Sequence, residues 1–280
     1  MAVMDMTPIT VGVVDAAHPV PRRLGARIAA PRRRDPAFVL FRGTMDELAT
    51  RPPGQGTGRL IVTPNVDHLR LLSRSRTLRR AYATADLVLN DSRALDRSFI
   101  GGTAFCLTGT DLTPQMLDRL APGAVVCSIG CTPAVEAAMR QAYPQLGLNF
   151  INPSMGYIRK RAERRALVDR VRAIDPICVF VSTGAPQSEI FAAQLKRAGC
   201  DADILCCGSG LLFLAGSTPR APLWMQRRGG EWLWRFLVEP RTRQRYAKDA
   251  LFLIRNLPAL VGIRRDGVGR FEGFRLVCRG

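Results

Sequence analysis

A Rossmann-like α/β/α parallel sheet with a basic, tryptophan-rich helical C-terminal appendage is the architecture this sequence predicts. Three observations predict it. From residue 37 onward, short continuous apolar runs alternate with stretches of helical period, as in strands buried on both faces and joined by crossover helices. A chain of 280 residues, 47% of them hydrophobic, can bury one full core and still carry extensions. All three tryptophans (224, 232 and 234) lie among arginines in the last quarter. From Arg220 to Gly280 there are 14 basic against 5 acidic residues, a local excess of nine, half of the chain's +18.

The elements follow in order. Residues 1–36 hold Pro19, Pro21, Arg22, Arg23 and Arg32 to Arg34 without the apolar stretch of a signal peptide, and read as a poorly ordered basic leader. Residues 37–218 carry the sheet. Its strands are expected at Phe38–Phe41, Leu60–Thr63, Leu87–Leu89, Ala124–Ile129, Leu148–Ile151, Ile177–Ser182 and Ile204–Cys207. Helices are expected at Val66–Leu72, Leu112–Leu120, Pro133–Tyr143, Lys160–Ile174 and Ser188–Ala198. Residues 219–280 read as a membrane-associating helical appendage, in which Tyr246, Ala250, Leu253, Ile254 and Leu257 mark the apolar face of a basic helix.

In such sheets ligands bind at the carboxyl ends of the strands. There the sequence places Thr63-Pro64-Asn65-Val66-Asp67-His68, Asn90-Asp91-Ser92, Gly130 with Thr132 as cap before Pro133, Gly184-Ala185-Pro186-Gln187, and Gly208-Ser209-Gly210. Amides of glycine-rich turns at helix starts can cradle a diphosphate. Neither the dinucleotide fingerprint nor the Walker spacing occurs, which argues against a nicotinamide enzyme and a P-loop NTPase.

The eight cysteines lack paired metal spacing and read as buried small hydrophobes. No run of 18 apolar residues appears. A pI near 10.9 calls for an anionic partner, whether nucleic acid, an acidic membrane or phosphorylated substrates. Aromatics are only 7% and the tryptophans cluster in the tail rather than on strands, which disfavours a nucleic-acid-binding α/β protein.

These turns, read in order, resemble the WecG/TagA/CpsF family of bacterial glycosyltransferases. The resemblance rests on Thr63 to His68, Ala85-Asp86-Leu87-Val88-Leu89-Asn90-Asp91, Thr108-Gly109-Thr110-Asp111-Leu112, Gly184-Ala185-Pro186 and the Arg220–Arg241 block, and runs from about residue 38 to 257. It implies an inverting transfer, without metal or other cofactor, from a UDP-sugar to a polyprenyl-diphosphate-linked saccharide. The setting implied is the cytoplasmic face of the bacterial inner membrane, in surface-polysaccharide assembly, with a tail that folds over the site on the lipid. Self-association is left open.

By that resemblance Asp91 is the base, with Thr63 and Asn65 lining its pocket. Asp91 also reads as a helix cap, and Thr63 and Asn65 as the closure of the turn around Pro64. Gly130, Thr132, Gly184, Pro186, Gln187, Gly208 and Gly210 are candidate nucleotide contacts. Arg220, Arg228, Arg235 and Arg241 are candidates for diphosphate or headgroup charge. His68 reads as a residue that holds its loop. The chain departs from the family at Ser92, Ser188 and Leu211-Leu212, where the resemblance implies glycine, glutamine and phenylalanine–aspartate. These departures bear on donor specificity and leave a catalytically impaired scaffold as the alternative.

Overall fold

The computed structural model describes residues 35–49, 58–100, 106–216 and, with breaks at 223, 226–227, 229 and 239, residues 221–278. The leader apart from its last residues, and Arg220, therefore lie outside the described residues.

Six strands form the main sheet: β2 (Leu60–Val62), β3 (Leu87–Val88), β4 (Val125–Ile129), β5 (Gly147–Ile151), β6 (Cys178–Val181) and β7 (Asp203–Cys206). Their order is β3-β2-β7-β6-β4-β5 and every pairing is parallel. All residues of β2, β6 and β7 are buried, which is why these strands read as apolar runs, save for Asp203 at the start of β7, which pairs with Arg59. Alternation still sorts their side chains. Leu60 and Val62 pack on one face, Ile61 on the other.

The first face is covered by α2 (Val66–Arg74), α3 (Arg76–Tyr82), α7 (Arg161–Ile174) and α8 (Gln187–Arg197). The second is covered by α1 (Met45–Ala49), α5 (Gly109–Asp118), α6 (Pro133–Ala142) and α9 (Gly210–Leu214). A short turn α4 (Arg93–Leu95) runs into a π-type turn at Asp96–Ile100. The sequence reading missed α3, because Ser75 both ends α2, through its N–H to Leu71, and starts α3, through Oγ to Leu78 N.

The strand expected at Phe38–Phe41 is β1 (Ala37–Val39), and it does not enter the main sheet as a full strand. It runs parallel to β9 (Phe274–Val277), which pairs antiparallel with β8 (Val268–Phe271). Leu40 then bridges Val88, so this small sheet hangs on the β3 edge of the large one. Aromatic stacking holds it. Phe38 lies 5.4 Å from Tyr82 and 5.8 Å from Phe274, and Phe271 stacks on Phe274 at 4.9 Å.

In the chain, α10 (Glu231–Val238), α11 (Arg243–Arg255) and α12 (Leu257–Asp266) come between α9 and β8. The hairpin after them is a departure from an all-helical appendage. The apolar face expected for α11 also differs. Asp249 and Phe252 point inward, while Ile254 is 72% and Leu257 50% exposed. The reason is Arg70 on α2, whose Nε donates to Asp249 Oδ1 at 2.7 Å and draws the acidic edge of the helix in. Seven of the eight cysteines are buried, and burial pushes the thiols of Cys127, Cys131 and Cys207 up to about 12. Among the described residues no helix is long and apolar enough to cross a membrane.

Candidate functional site

The carboxyl ends of five strands are tied together by short contacts. Asp91 N donates to Pro64 O at 3.0 Å, joining the end of β3 to the turn after β2. Thr63 Oγ1 donates to Cys206 O at 2.9 Å, joining β2 to β7. Ser182 Oγ donates to Gly208 O at 2.5 Å, joining β6 to β7. At the end of β4, Gly130 has φ +85°, and a Cβ there would lie 2.7 Å from Thr183 Cγ2. Only glycine permits that approach. Gly210 is as tight, since a Cβ would come within 2.7 Å of Thr113 Oγ1.

Asp91 is half-buried. It does not cap the helix that follows it; Ser92 does, its side chain accepting from Leu95 N at 3.3 Å. Ser92 therefore does the capping, and Asp91 is placed one residue earlier, against the Pro64 turn. Next to it, Thr108 Oγ1 donates to Asp111 Oδ2 at 2.8 Å and Arg93 Nη2 reaches the same oxygen at 3.0 Å. That pair fastens α4 to the start of α5. Cys106 beside them has its thiol raised to about 12 by burial and then by the Asp91 charge.

Thr63 and Asn65 both have structural work to do. Thr63 is 4% exposed and committed to Cys206. Asn65 caps α2, its Oδ1 accepting from Asp67 N at 3.1 Å and His68 N at 3.4 Å. His68 completes the capping box and reaches further, with Nε2 3.0 Å from Glu189 Oε1. Burial by itself would lower the pKa of His68. The charge and hydrogen bond of Glu189, then the charges of Asp67 and Asp91, outweigh it and hold the imidazole above its ordinary value. Glu189 is the site residue that sequence reasoning overlooked. Its signal was a carboxylate on an otherwise apolar helix face, 3% exposed.

Thr132 caps α6 by accepting from Val135 N at 3.3 Å, with Pro133 in the first turn, as the sequence predicts. The 184–186 turn leads into α8, which opens at Gln187, and it is braced from below. Thr183 Oγ1 lies 3.0 Å from Tyr157 OH and 3.2 Å from Ser188 Oγ. Ser188 is 1% exposed, so the residue at this departure serves the brace. Leu212, on α9, is half-buried and packs against the core on that face of the sheet.

Of the tail arginines, Arg235 on α10 reaches this end of the sheet. It donates to Ser209 Oγ at 3.0 Å and lies 4.7 Å over the Phe213 ring. Arg228 is exposed and sits 5.9 Å from the Trp224 ring. Arg220 and the side chain of Arg241 are outside the described residues. Among the described residues no three His, Cys, Asp or Glu side chains gather as a metal site requires. Two surface grooves, of about 510 and 310 Å³, lie against α3 and against α7 and are lined by none of these residues.

The sequence profile of the Glycosyl transferase WecG/TagA/CpsF family matches residues 40–265. That span includes the whole main sheet and every turn described above, and leaves out β1 and the β8–β9 hairpin.

Proposed function

The chain belongs to the WecG/TagA/CpsF family of glycosyltransferases, and from that premise we propose an inverting, metal-independent transfer of a hexosyl or N-acetylhexosaminyl unit from a UDP-sugar to a polyprenyl-diphosphate-linked saccharide. The observation that carries the proposal is the position of Asp91. It sits at a strand's carboxyl end, beside the Pro64 turn, with the capping duty taken over by Ser92.

In this reading Asp91 accepts the proton of the acceptor hydroxyl as its oxygen attacks the anomeric carbon from the face opposite the nucleotide. The bond from that carbon to the diphosphate oxygen breaks, and its electron pair leaves with UDP. The growing charge on the diphosphate is met by backbone amides at the starts of α6 and α8, near Gly130, Thr132, Gly184, Pro186 and Gln187. Arg235, which touches the turn shaped by Gly208 and Gly210, is assigned as a cation for it. Thr63 and Asn65 line the acceptor side. Arg220, Arg228 and Arg241 are assigned to headgroup or substrate phosphate.

The appendage is assigned to an anionic membrane surface. Trp224 is 57%, Trp232 51% and Leu237 57% exposed, among arginines. Each basic residue near such a surface contributes about 1 kcal/mol, so a few engaged side chains give reversible, peripheral attachment at the cytoplasmic face. Cutting the chain before Arg220 would remove β8 and β9 with the tail and disrupt the core, so point substitutions are the test of this role.

The decisive experiment is Asp91→Asn, assayed with a panel of UDP-sugars and a prenyl-diphosphate acceptor in EDTA. Wild type should turn over without added metal. The variant should lose about 10²–10⁴-fold in kcat while its donor-induced thermal shift stays. Near wild-type turnover would remove Asp91 from the mechanism, and a wild type silent with every donor would favour the scaffold alternative.

A further inference from the structure

The two faces of the main sheet carry opposite charge. Helices α2, α3, α7 and α8 hold 12 Lys and Arg against 4 Asp and Glu. Helices α1, α5, α6 and α9 on the other face hold 1 against 5. The acidic side chains of that second face are engaged within the fold. Asp46 pairs with Arg119 at 2.9 Å and Asp111 with Arg93 at 3.0 Å, while Asp118 accepts from Tyr143 OH at 3.0 Å and Glu136 from Asn152 Nδ2 at 2.7 Å. The basic face has no such complement. Lys196 is tied to Asp86, but Arg76, Arg80, Arg161, Arg165 and Arg172 are exposed and form no ion pair among the described residues.

These arginines make one band across three helices. Arg197 at the end of α8 donates to Arg80 O on α3 at 2.8 Å, and Ala198 beside it lines the groove against α7. The two surface grooves noted above therefore lie at the two ends of the band. Arg76, Arg79 and Arg80 line the first, together with Pro36 and Ala83. Four arginines, 161, 164, 165 and 172, line the second, together with Val168 and Ala198. Each groove also takes in one carboxylate, Asp35 or Asp169, which the guanidinium groups outnumber. Arg79 is held in place, since Nη1 donates to Leu72 O at 2.5 Å and the guanidinium lies so close to Gly273 that a Cβ there would fall 2.8 Å from Cζ.

We infer that this band docks an acidic segment of a partner protein, an extended stretch of carboxylates interspersed with apolar side chains. Guanidinium groups take carboxylates two bonds at a time, and the apolar residues in each groove meet the side chains between. Packed helices lie about 10 Å apart, so a band over three of them is about 20 Å across, the reach of about six extended residues. A lipid surface is a poorer match. Among the described residues the large exposed apolar side chains, apart from Val39 and Met155, lie in the appendage, so no large side chain of the band enters a bilayer. A bilayer resting on α10 at the carboxyl edge of the sheet would also leave the helical face to its side. A nucleic acid is poorer too, because the aromatic rings on α3, α7 and α8, Tyr82 and Phe191, are buried and offer bases no platform. The inference is independent of the chemistry at Asp91, which shares no residue with the band.

The test is fluorescence anisotropy of the full chain with a labelled twelve-residue peptide of Glu-Glu-Leu repeats. Binding should weaken as salt is raised. Arg165→Glu with Arg172→Glu, and separately Arg76→Glu with Arg80→Glu, should each weaken it at least about tenfold. The corresponding glutamine pairs should give smaller losses at the same two places, and serve if a reversal folds poorly. Arg255→Glu with Arg264→Glu makes the same change of charge in the appendage and should alter binding less than about twofold. Equal losses from the appendage pair would reduce the contact to overall charge and overturn the inference. So would a peptide that does not bind, or band reversals that release single-stranded RNA or anionic phosphatidylglycerol vesicles and leave the peptide bound as before.

Discussion

Helix α10 and the pair α11–α12 share one composition, arginines among large apolar side chains, yet the fold holds them by different means. The pair is fixed from inside. Asp249 and Phe252 are buried, Leu260 is 0% and Ile263 4% exposed, and Phe271 and Phe274 stack beneath them. Helix α10 shows Trp232, Leu233, Leu237 and Val238 to solvent, and its contact with the site end of the sheet is made by Arg235. Amphipathic composition alone does not say how firmly a helix is docked. What decides it is whether the inward residues meet a partner already fixed in the core. Asp249 meets Arg70 in the core, while Trp232 on α10 stays 51% exposed.

The comparison breaks most decisively at the small sheet. Phe274→Ala removes a ring packed between Phe38 and Phe271 and should cost about 4 kcal/mol, read as a lower denaturant midpoint. A loss under about 1 kcal/mol would mean that the hairpin is an ornament and not part of the core. Next in size, Asp249→Leu leaves the Arg70 guanidinium with one carboxylate fewer and should cost about 3 kcal/mol. An unchanged midpoint there would make α11 as lightly held as α10.

Arg235→Ala sharpens the other side. It should lower stability by no more than about 1 kcal/mol, the worth of one exposed cation–π contact, while tryptic cleavage around residues 228–243 accelerates. Smallest of all on stability, Trp232→Ser with Leu237→Ser should stay within about 0.5 kcal/mol of wild type. The same double variant should release the protein from anionic vesicles in co-sedimentation. Unchanged vesicle binding would end the membrane role given to α10.

Much of the main sheet was legible beforehand. Every one of its strands lies within two residues of its expected limits, because a parallel strand buried on both faces must be written as a continuous apolar run. Thr132 was legible as a cap for an equally local reason, with Pro133 behind it and a strand before it. Asp91 was ambiguous in sequence, since any Asp-Ser before a helix can cap through either residue, and the hydrogen bond of Ser92 resolved it. Glu189 was invisible as a partner for His68, 121 residues away.

What the order of residues determined unaided is therefore the layered sheet, its helices and the polar turns at its carboxyl edge, since periodicity and turn chemistry act over a few residues. Tertiary structure alone decided that β1 leaves the main sheet for β9, that Asp249 turns inward to Arg70 across 179 positions, and that an imidazole joins two walls of the site. Partners so distant leave no periodic trace in a sequence. Burial supplies the reason they meet, because a charge or an unpaired strand edge withdrawn from water must find its complement wherever the chain has brought one.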